Sequence, residues 1–230
     1  MSQIGFAVIL TEEKGALFYE RILTDMLEAG CEAIEIHTPD YHEMKPDSEL
    51  IKIIRQFTYR SIHTRGLIAE DKCTDKLRYY TELAEKIDTH AFTVHPNIMD
   101  EWSWLVKYFG DLLSYENMDW RKPFATLPSH MKEVFSQAPN ARWTYDLNHV
   151  YTVDPSMKLA DEFYDSFSNL GHYHISGFKD ADLPHTTLYT THQDIIAEYV
   201  RTDHPIIIES FGIYDIQDFQ LELDYTKKLL

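Results

Sequence analysis

The chain of 230 residues has little cysteine, a shortage of positive charge and no long apolar run. Two cysteines, Cys31 and Cys73, are too few for a disulfide framework and point to a reducing compartment, so a cytoplasmic location is expected. Lysine and arginine number 21 against 38 aspartates and glutamates, a formal net charge of −17. That balance excludes a broadly basic surface for gripping nucleic acid, leaving only a local groove open to that role. Bound cations would offset part of the negative charge. No stretch approaches the roughly 18 apolar residues of a membrane span. The start, MSQIGFAVIL, has no basic segment ahead of its apolar residues and is expected to be a first strand rather than a signal peptide. No Gly-rich phosphate turn follows that strand, which removes support for a dinucleotide-binding open sheet. Linkers and low-complexity tracts are also missing, so one domain over residues 1–230 is expected.

What is present is a regular alternation. Short apolar runs of strand type are separated by longer stretches of helical period. The strand runs are IGFAVIL (4–10), AIEIH (33–37), YRSIH (59–63), AFTVH (91–95), LLSYE (112–116), RWTYD (142–146), HYHIS (172–176) and PIIIE (205–209). Between them, helices are expected near 16–29, stopped by Gly30, then near 47–57 behind Pro46, and at 74–87, 100–108 and 125–137. Asp154 and Pro155 are expected to open the sixth helix as its cap and first residue. The seventh helix falls near 193–200, and the last runs from about 216 to the end. Strands alternating with helices predict parallel βαβ units with right-handed crossovers. Eight such units are enough to close a (β/α)8 TIM barrel with outer helices.

The placement of the polar residues then becomes informative. His37, His63, His95 and His174 lie at or near strand ends, as do Glu116, Asp146 and Glu209. His149 follows Asp146 by three residues, and His185 lies in the loop after the seventh strand. In a barrel, all strand ends converge on one mouth. Carboxylates crowded there would repel one another and lose hydration, and a divalent cation relieves both problems. Mixed imidazole and carboxylate ligands suit zinc, manganese or iron better than calcium or magnesium. Structural alternatives stand beside these roles: Glu116 with Asn117 as a helix cap, Asp146 in a turn, and His37, followed by Thr38 and Pro39, as a hydrogen-bonded strand-end residue. His172 and His174 point the same way by alternation, so pattern alone does not separate them. His42, His90, His130, His192 and His204 fall away from the mouth and receive no role.

Strand by strand, over nearly the whole chain, these residues resemble the xylose isomerase-like barrels, which include endonuclease IV and many sugar isomerases and epimerases. SIHT (61–64) resembles the third-strand histidine of that family and TVHPN (93–97) its fourth-strand His-Pro. SYENMD (114–119) is similar to the fifth-strand glutamate, and YDLNH (145–149) to the sixth-strand Asp-x-x-His. YHISG (173–177) resembles the seventh-strand histidine, and IIIES (206–210) the last glutamate. The resemblance implies that Glu116 and Glu209 bracket the metals, with Asp146 and His174 completing one shell. It implies that His63 and His95 hold a neighbouring ion that shares Glu116, giving one to three ions, zinc or manganese foremost. His149 and His185 would serve a third ion or touch substrate. The endonuclease IV pattern has an aspartate two residues before the loop histidine, where this chain has Leu183, with Asp180 and Asp182 nearby. The resemblance favours His174 over His172.

Three function classes follow. In a sugar or sugar-phosphate isomerase or epimerase, Glu116 and Glu209 would move a carbon-bound proton beside a polarised carbonyl. Lys179 or Arg65 could meet an anionic group of such a substrate. In a phosphodiester hydrolase, two or three ions would clamp a phosphate, a reading supported by His63 and His95 and opposed by the acidic balance and the lack of basic runs. The third class is a binding barrel without turnover. A small sugar-like substrate is preferred to DNA, with no membrane partner and with a homo-oligomer open. Trp102, Trp104, Trp120 and Tyr151 are candidates for a sugar-facing wall or for packing.

Overall fold

The computed structural model describes residues 2–38, 46–64, 67, 75–98, 101–201 and 203–230. Arg65, His42, Cys73 and the expected helix starts at 74 and 100 lie outside the described residues. Eight parallel strands close into a barrel in chain order: β1 (Ile4–Ile9), β2 (Ala33–His37), β3 (Tyr59–Thr64), β4 (Ala91–Val94), β5 (Leu113–Glu116), β6 (Arg142–Asp146), β7 (Leu170–Ile175) and β8 (Ile206–Ile208). The seam joins β8 to β1, pairing Ile4 with Ile206 and Phe6 with Ile208. The expected TIM barrel is therefore the observed fold.

The helices are α1 (Ala16–Glu28), α2 (Ser48–Ile54), α3 (Asp75–Ile87), α4 (Ser103–Phe109), α5 (Pro128–Gln137), α6 (Leu147–Val153), α7 (Lys158–Ser166), α8 (Leu188–Thr191), α9 (Ile195–Glu198) and α10 (Ile216–Leu229). Their ends follow local chemistry. Gly30, at φ 87°, closes α1 while Cys31 N–H donates to Met26 O and Gly30 N–H to Leu27 O. Asp47 caps α2 by accepting from the N–H groups of Glu49 and Leu50.

Two expectations about helices are corrected. Asp154 and Pro155 do not open the sixth helix. α6 begins directly after β6, capped by Asp146, and Asp154 stands at its C-terminal end. The Asp154 carboxylate instead accepts from the N–H groups of Ser156 and Leu159, at the start of α7. Leu147 and Val150, three apart, bury the face that holds α6 in place. The helix expected near 193–200 is reduced to the four residues of α9; α8 precedes it, ended by His192, whose left-handed φ of 54° separates the two.

The outward-facing strand residues form the dry part of the core. Ile34, Ile36, Ile62, Phe92, Val94, Trp143, Ile206 and Ile208 are all buried under the helices. Full burial of each such aliphatic or phenyl side chain contributes about 1.5–3 kcal/mol. The inward-facing residues differ in kind. Two positions before the strand-end candidates, the bore carries Glu35, Ser61, Thr93, Ser114, Thr144 and His172, with the apolar Ile207 before Glu209, all buried. The polar ones are wired together: Ser114 and Thr144 hydroxyls lie 2.6 Å apart, and Tyr59 OH meets His172 Nδ1 at 2.9 Å. Close strand approach at the base requires Gly5, where a Cβ would sit 1.6 Å from Ala33 O.

Candidate metal centre

The strand ends bring Glu116, Asp146, His174 and Glu209 together, each buried, with one ligand-capable atom from each lying within 4.8 Å of the others. His174 is at the middle. Its Nδ1 lies 2.9 Å from Glu116 Oε1 and 3.4 Å from Glu209 Oε1. A second group joins His63, His95 and Glu116. Glu116 Oε2 receives His63 Nε2 at 3.2 Å and His95 Nε2 at 2.9 Å, so this one carboxylate spans both groups. A third joins Asp146, His149 and His185, the last two packed edge to face. His149 Nδ1 donates to Asn117 O at 2.7 Å, and His185 Nδ1 meets Ser176 Oγ at 3.0 Å.

The charge pattern has clear causes. Burial works against ionisation of Glu116, but His174 and His95 outweigh it and hold the carboxyl well below the usual range. Glu209 is likewise held ionised against its burial, chiefly by His174 and His37. Asp146 moves the other way: burial first, then the charges of Glu116 and Glu209, push its carboxyl well above the ordinary value. Burial opposes a charge on His174, yet Glu35, Glu209 and Glu116 together raise its pKa well above the usual one. His63 is lowered to about 3 and His185 to about 4, in both cases mainly by burial. Neutral imidazoles are the form that binds a metal.

These residues fit a divalent cation. Asp146 Oδ1 accepts the N–H of His149 at 2.8 Å, whereas Asp146 Oδ2 is buried and accepts no hydrogen bond among the described residues. Three carboxylates gather around one imidazole, and both Asp146 Oδ2 and Glu209 Oε1 lack a hydrogen bond among the described residues, a donor set suited to a cation.

A cavity of about 300 Å³ opens above the group. His37, His63, His95, His149, His185 and Glu209 line it, joined by Arg121, Lys122 and Phe211. The aromatic candidates do not line it. Trp102 is buried, donates its indole N–H to Pro96 O and stacks on Phe124. Trp104 is a core residue, Tyr151 packs against the core, and Trp120 is half exposed. Lys179 is exposed and outside the lining. The cations at the cavity are instead Arg121, paired with Asp119, and Lys122.

Sequence reasoning missed Glu35 and gave His37 no functional role. His37 stacks on His63 with ring centroids 4.2 Å apart, and its Nε2 lies 3.1 Å from Glu35 Oε1 and 3.2 Å from Glu209 Oε1. The signal for Glu35 was available: a carboxylate in an apolar strand, two residues before a strand-end histidine, must face the same bore. His172 and His174 separate by depth. His174 reaches the carboxylate group, while His172 bonds Tyr59 and Thr93 below it.

No family model matches the chain, and no curated protein sequence does. Solved structures match over nearly full length. A D-tagatose 3-epimerase-like protein superposes with a TM-score of 0.69 at 18% identity, covering 98% of this chain and 97% of its own. The D-allulose 3-epimerase of Methylomonas sp. gives 0.68 at 14%, covering 100% and 99%. An AP endonuclease of family 2 from Brucella melitensis gives 0.64 at 14%, covering 99% of each chain. The fold is theirs. At these identities the likeness is one of fold alone, a closed (β/α)8 barrel.

Proposed function

We propose that the chain is a divalent-metal-dependent isomerase or epimerase of a small sugar or sugar phosphate, acting by proton transfer beside a carbonyl. The observation that carries this reading is the convergence of Glu116 and Glu209, from non-adjacent strands, on one imidazole under a cavity of about 300 Å³. That volume suits a small polar molecule. The sugar epimerases among the structural matches support the same class.

Glu116, Asp146, His174 and Glu209 would hold the cation, with zinc or manganese favoured by the donor set. When bound, it would polarise the substrate carbonyl and so acidify the adjacent C–H. The remaining steps belong to the side chains. Glu116 and Glu209 are ionised, the state in which a base begins. One takes the proton from the carbon beside the carbonyl, and its counterpart returns a proton. His149 and His185, on the cavity wall, would meet substrate hydroxyls, and Lys122 an anionic group. Incubation with ketoses and ketose phosphates in heavy water, with manganese or zinc, should introduce deuterium beside the carbonyl. Glu116→Gln should abolish that exchange.

A second reading, a metal-dependent phosphodiester hydrolase, has one specific observation in its favour. His63 and His95 meet on Glu116 Oε2, and Asp146, His149 and His185 form a further group, so donors for more than one ion are present. The net charge of −17 weighs against a polyanionic substrate. Metal-dependent nicking of an abasic-site duplex, with no deuterium exchange into any sugar, would reverse the order of the two readings.

A further inference from the structure

We propose that Glu35, below the mouth, is the positioning residue that fixes the ring and tautomer of His174 for cation binding. The inference rests on the metal reading above. Both nitrogens of His174 face carboxylates: Nδ1 turns to Glu116 and Glu209, and Nε2 lies 3.1 Å from Glu35 Oε1. An imidazole that gives one nitrogen to a metal must carry its proton on the other. A buried carboxylate facing that other nitrogen keeps the proton there and fixes the plane of the ring.

Glu35 is itself rigidly held. Its Oε2 accepts from Ser61 Oγ and Thr93 Oγ1, both at 2.8 Å, and its Oε1 meets His37 Nε2 at 3.1 Å. His172 Nε2 lies 3.3 Å from Oε2 and 3.1 Å from His174 Nε2, so it is the competing neighbour of the same proton. The carboxylate is the stronger acceptor. Neither oxygen of Glu35 is among the buried atoms lacking a partner, whereas Asp146 Oδ2 is. Glu35 is thus satisfied by protein donors and serves as an orienting group, while Asp146 keeps an oxygen for the ion.

His37 stands beside the same device: its Nε2 is hydrogen-bonded to Glu35 Oε1 and lies 3.2 Å from Glu209 Oε1.

The test is direct titration of the full chain with manganese and zinc by chelator competition, together with ¹⁵N-histidine spectra of the zinc-loaded protein. Wild type should bind, with His174 protonated at Nε2. Glu35→Gln should keep the stoichiometry but bind 10- to 100-fold more weakly, and its His174 should lose the single tautomer. Thr93→Val, which removes one donor to Glu35 at nearly equal volume, should give a smaller loss in the same direction and covers failure of Glu35→Gln to fold. Unchanged affinity in both variants overturns the proposal. So does weakened binding with the His174 tautomer intact, which would make Glu35 only a remote charge. A stoichiometry lower by one ion would make Glu35 a ligand and also overturn it. No binding by wild type removes the metal reading itself, a result distinct from each of these.

Discussion

Asp146 caps the helix that carries His149. Its Oδ1 accepts the His149 N–H at 2.8 Å, its Oδ2 has no hydrogen bond among the described residues, and the carboxylate belongs to the buried group with Glu116, His174 and Glu209. One side chain therefore starts α6 and completes the carboxylate group, and the two duties can be separated by substitution.

Asp146→Asn should do so. Asparagine caps helices as well as aspartate, so α6 should persist. Its carboxyl is already pushed towards the neutral form in the metal-free protein, so exchange for a neutral amide should leave the metal-free stability nearly unchanged. The same change should reduce the rise in melting temperature on adding manganese or zinc. Thermal melts with and without metal check both halves, and a variant less stable in both conditions would show that the cap, not the charge, dominates.

Metal uptake should release protons. In the metal-free protein the raised pKa values of Asp146 and His174 favour their protonated forms. A cation must displace those protons, so affinity should increase with pH. Calorimetry in buffers of different ionisation enthalpy should give correspondingly different apparent heats. The sign for stability follows from His174. Its folded pKa lies above the unfolded value of about 6.5, so its contribution is complete below that pH and is lost as pH rises through the folded value. Metal-free protein should therefore weaken on the alkaline side of neutrality more than metal-loaded protein does.

His63 and His95 separate the two chemistries. The double change His63→Ala, His95→Ala removes the donors that meet Glu116 Oε2 and leaves Asp146, His174 and Glu209 in place. If a single ion suffices for proton exchange, bound metal should fall by one equivalent while exchange stays within about tenfold, a change of roughly 1.4 kcal/mol in barrier. Loss of all exchange would mean that the two groups act as one centre.

Gly5→Ala tests the base of the barrel. The added Cβ would lie 1.6 Å from a backbone carbonyl, where no side-chain adjustment can relieve it. A loss of about 3 kcal/mol or more is expected, the upper end for overpacking. Denaturant unfolding measures it directly.

The fold was largely legible because the wall of the barrel obeys one rule. Runs such as AIEIH and AFTVH alternate residues that pack under helices with residues that enter the bore, and the register of β2 on β3 pairs His37 with His63 as that rule requires. The bore was less legible. Glu35 carries no motif, and its importance comes from five partners on three other strands and its own: His37, Ser61, Thr93, His172 and His174. Such partners become neighbours only when the sheet closes. α6 was hidden for a different reason: Asp146 ends a strand and caps a helix at once, so no loop separates the two patterns. The tryptophans stayed open between cavity wall and packing because size alone does not distinguish the two, and Trp102 is settled as packing by its bond to Pro96 and its stacking on Phe124.

The seam between β8 and β1 bears on the order of folding. Ile4 and Ile206 are paired across almost the whole chain, and β8 supplies only Ile206–Ile208 to the closure. Contacts so distant in sequence form late, after the local βα units have spent their loop entropy. Glu209 comes immediately after that strand. A chain with seven strands assembled would hold Glu116, Asp146 and His174 but lack the last carboxylate, leaving the candidate metal group open on one side. Metal capture would then act as a latch on the finished ring, favouring chains whose two ends have already met over those still searching.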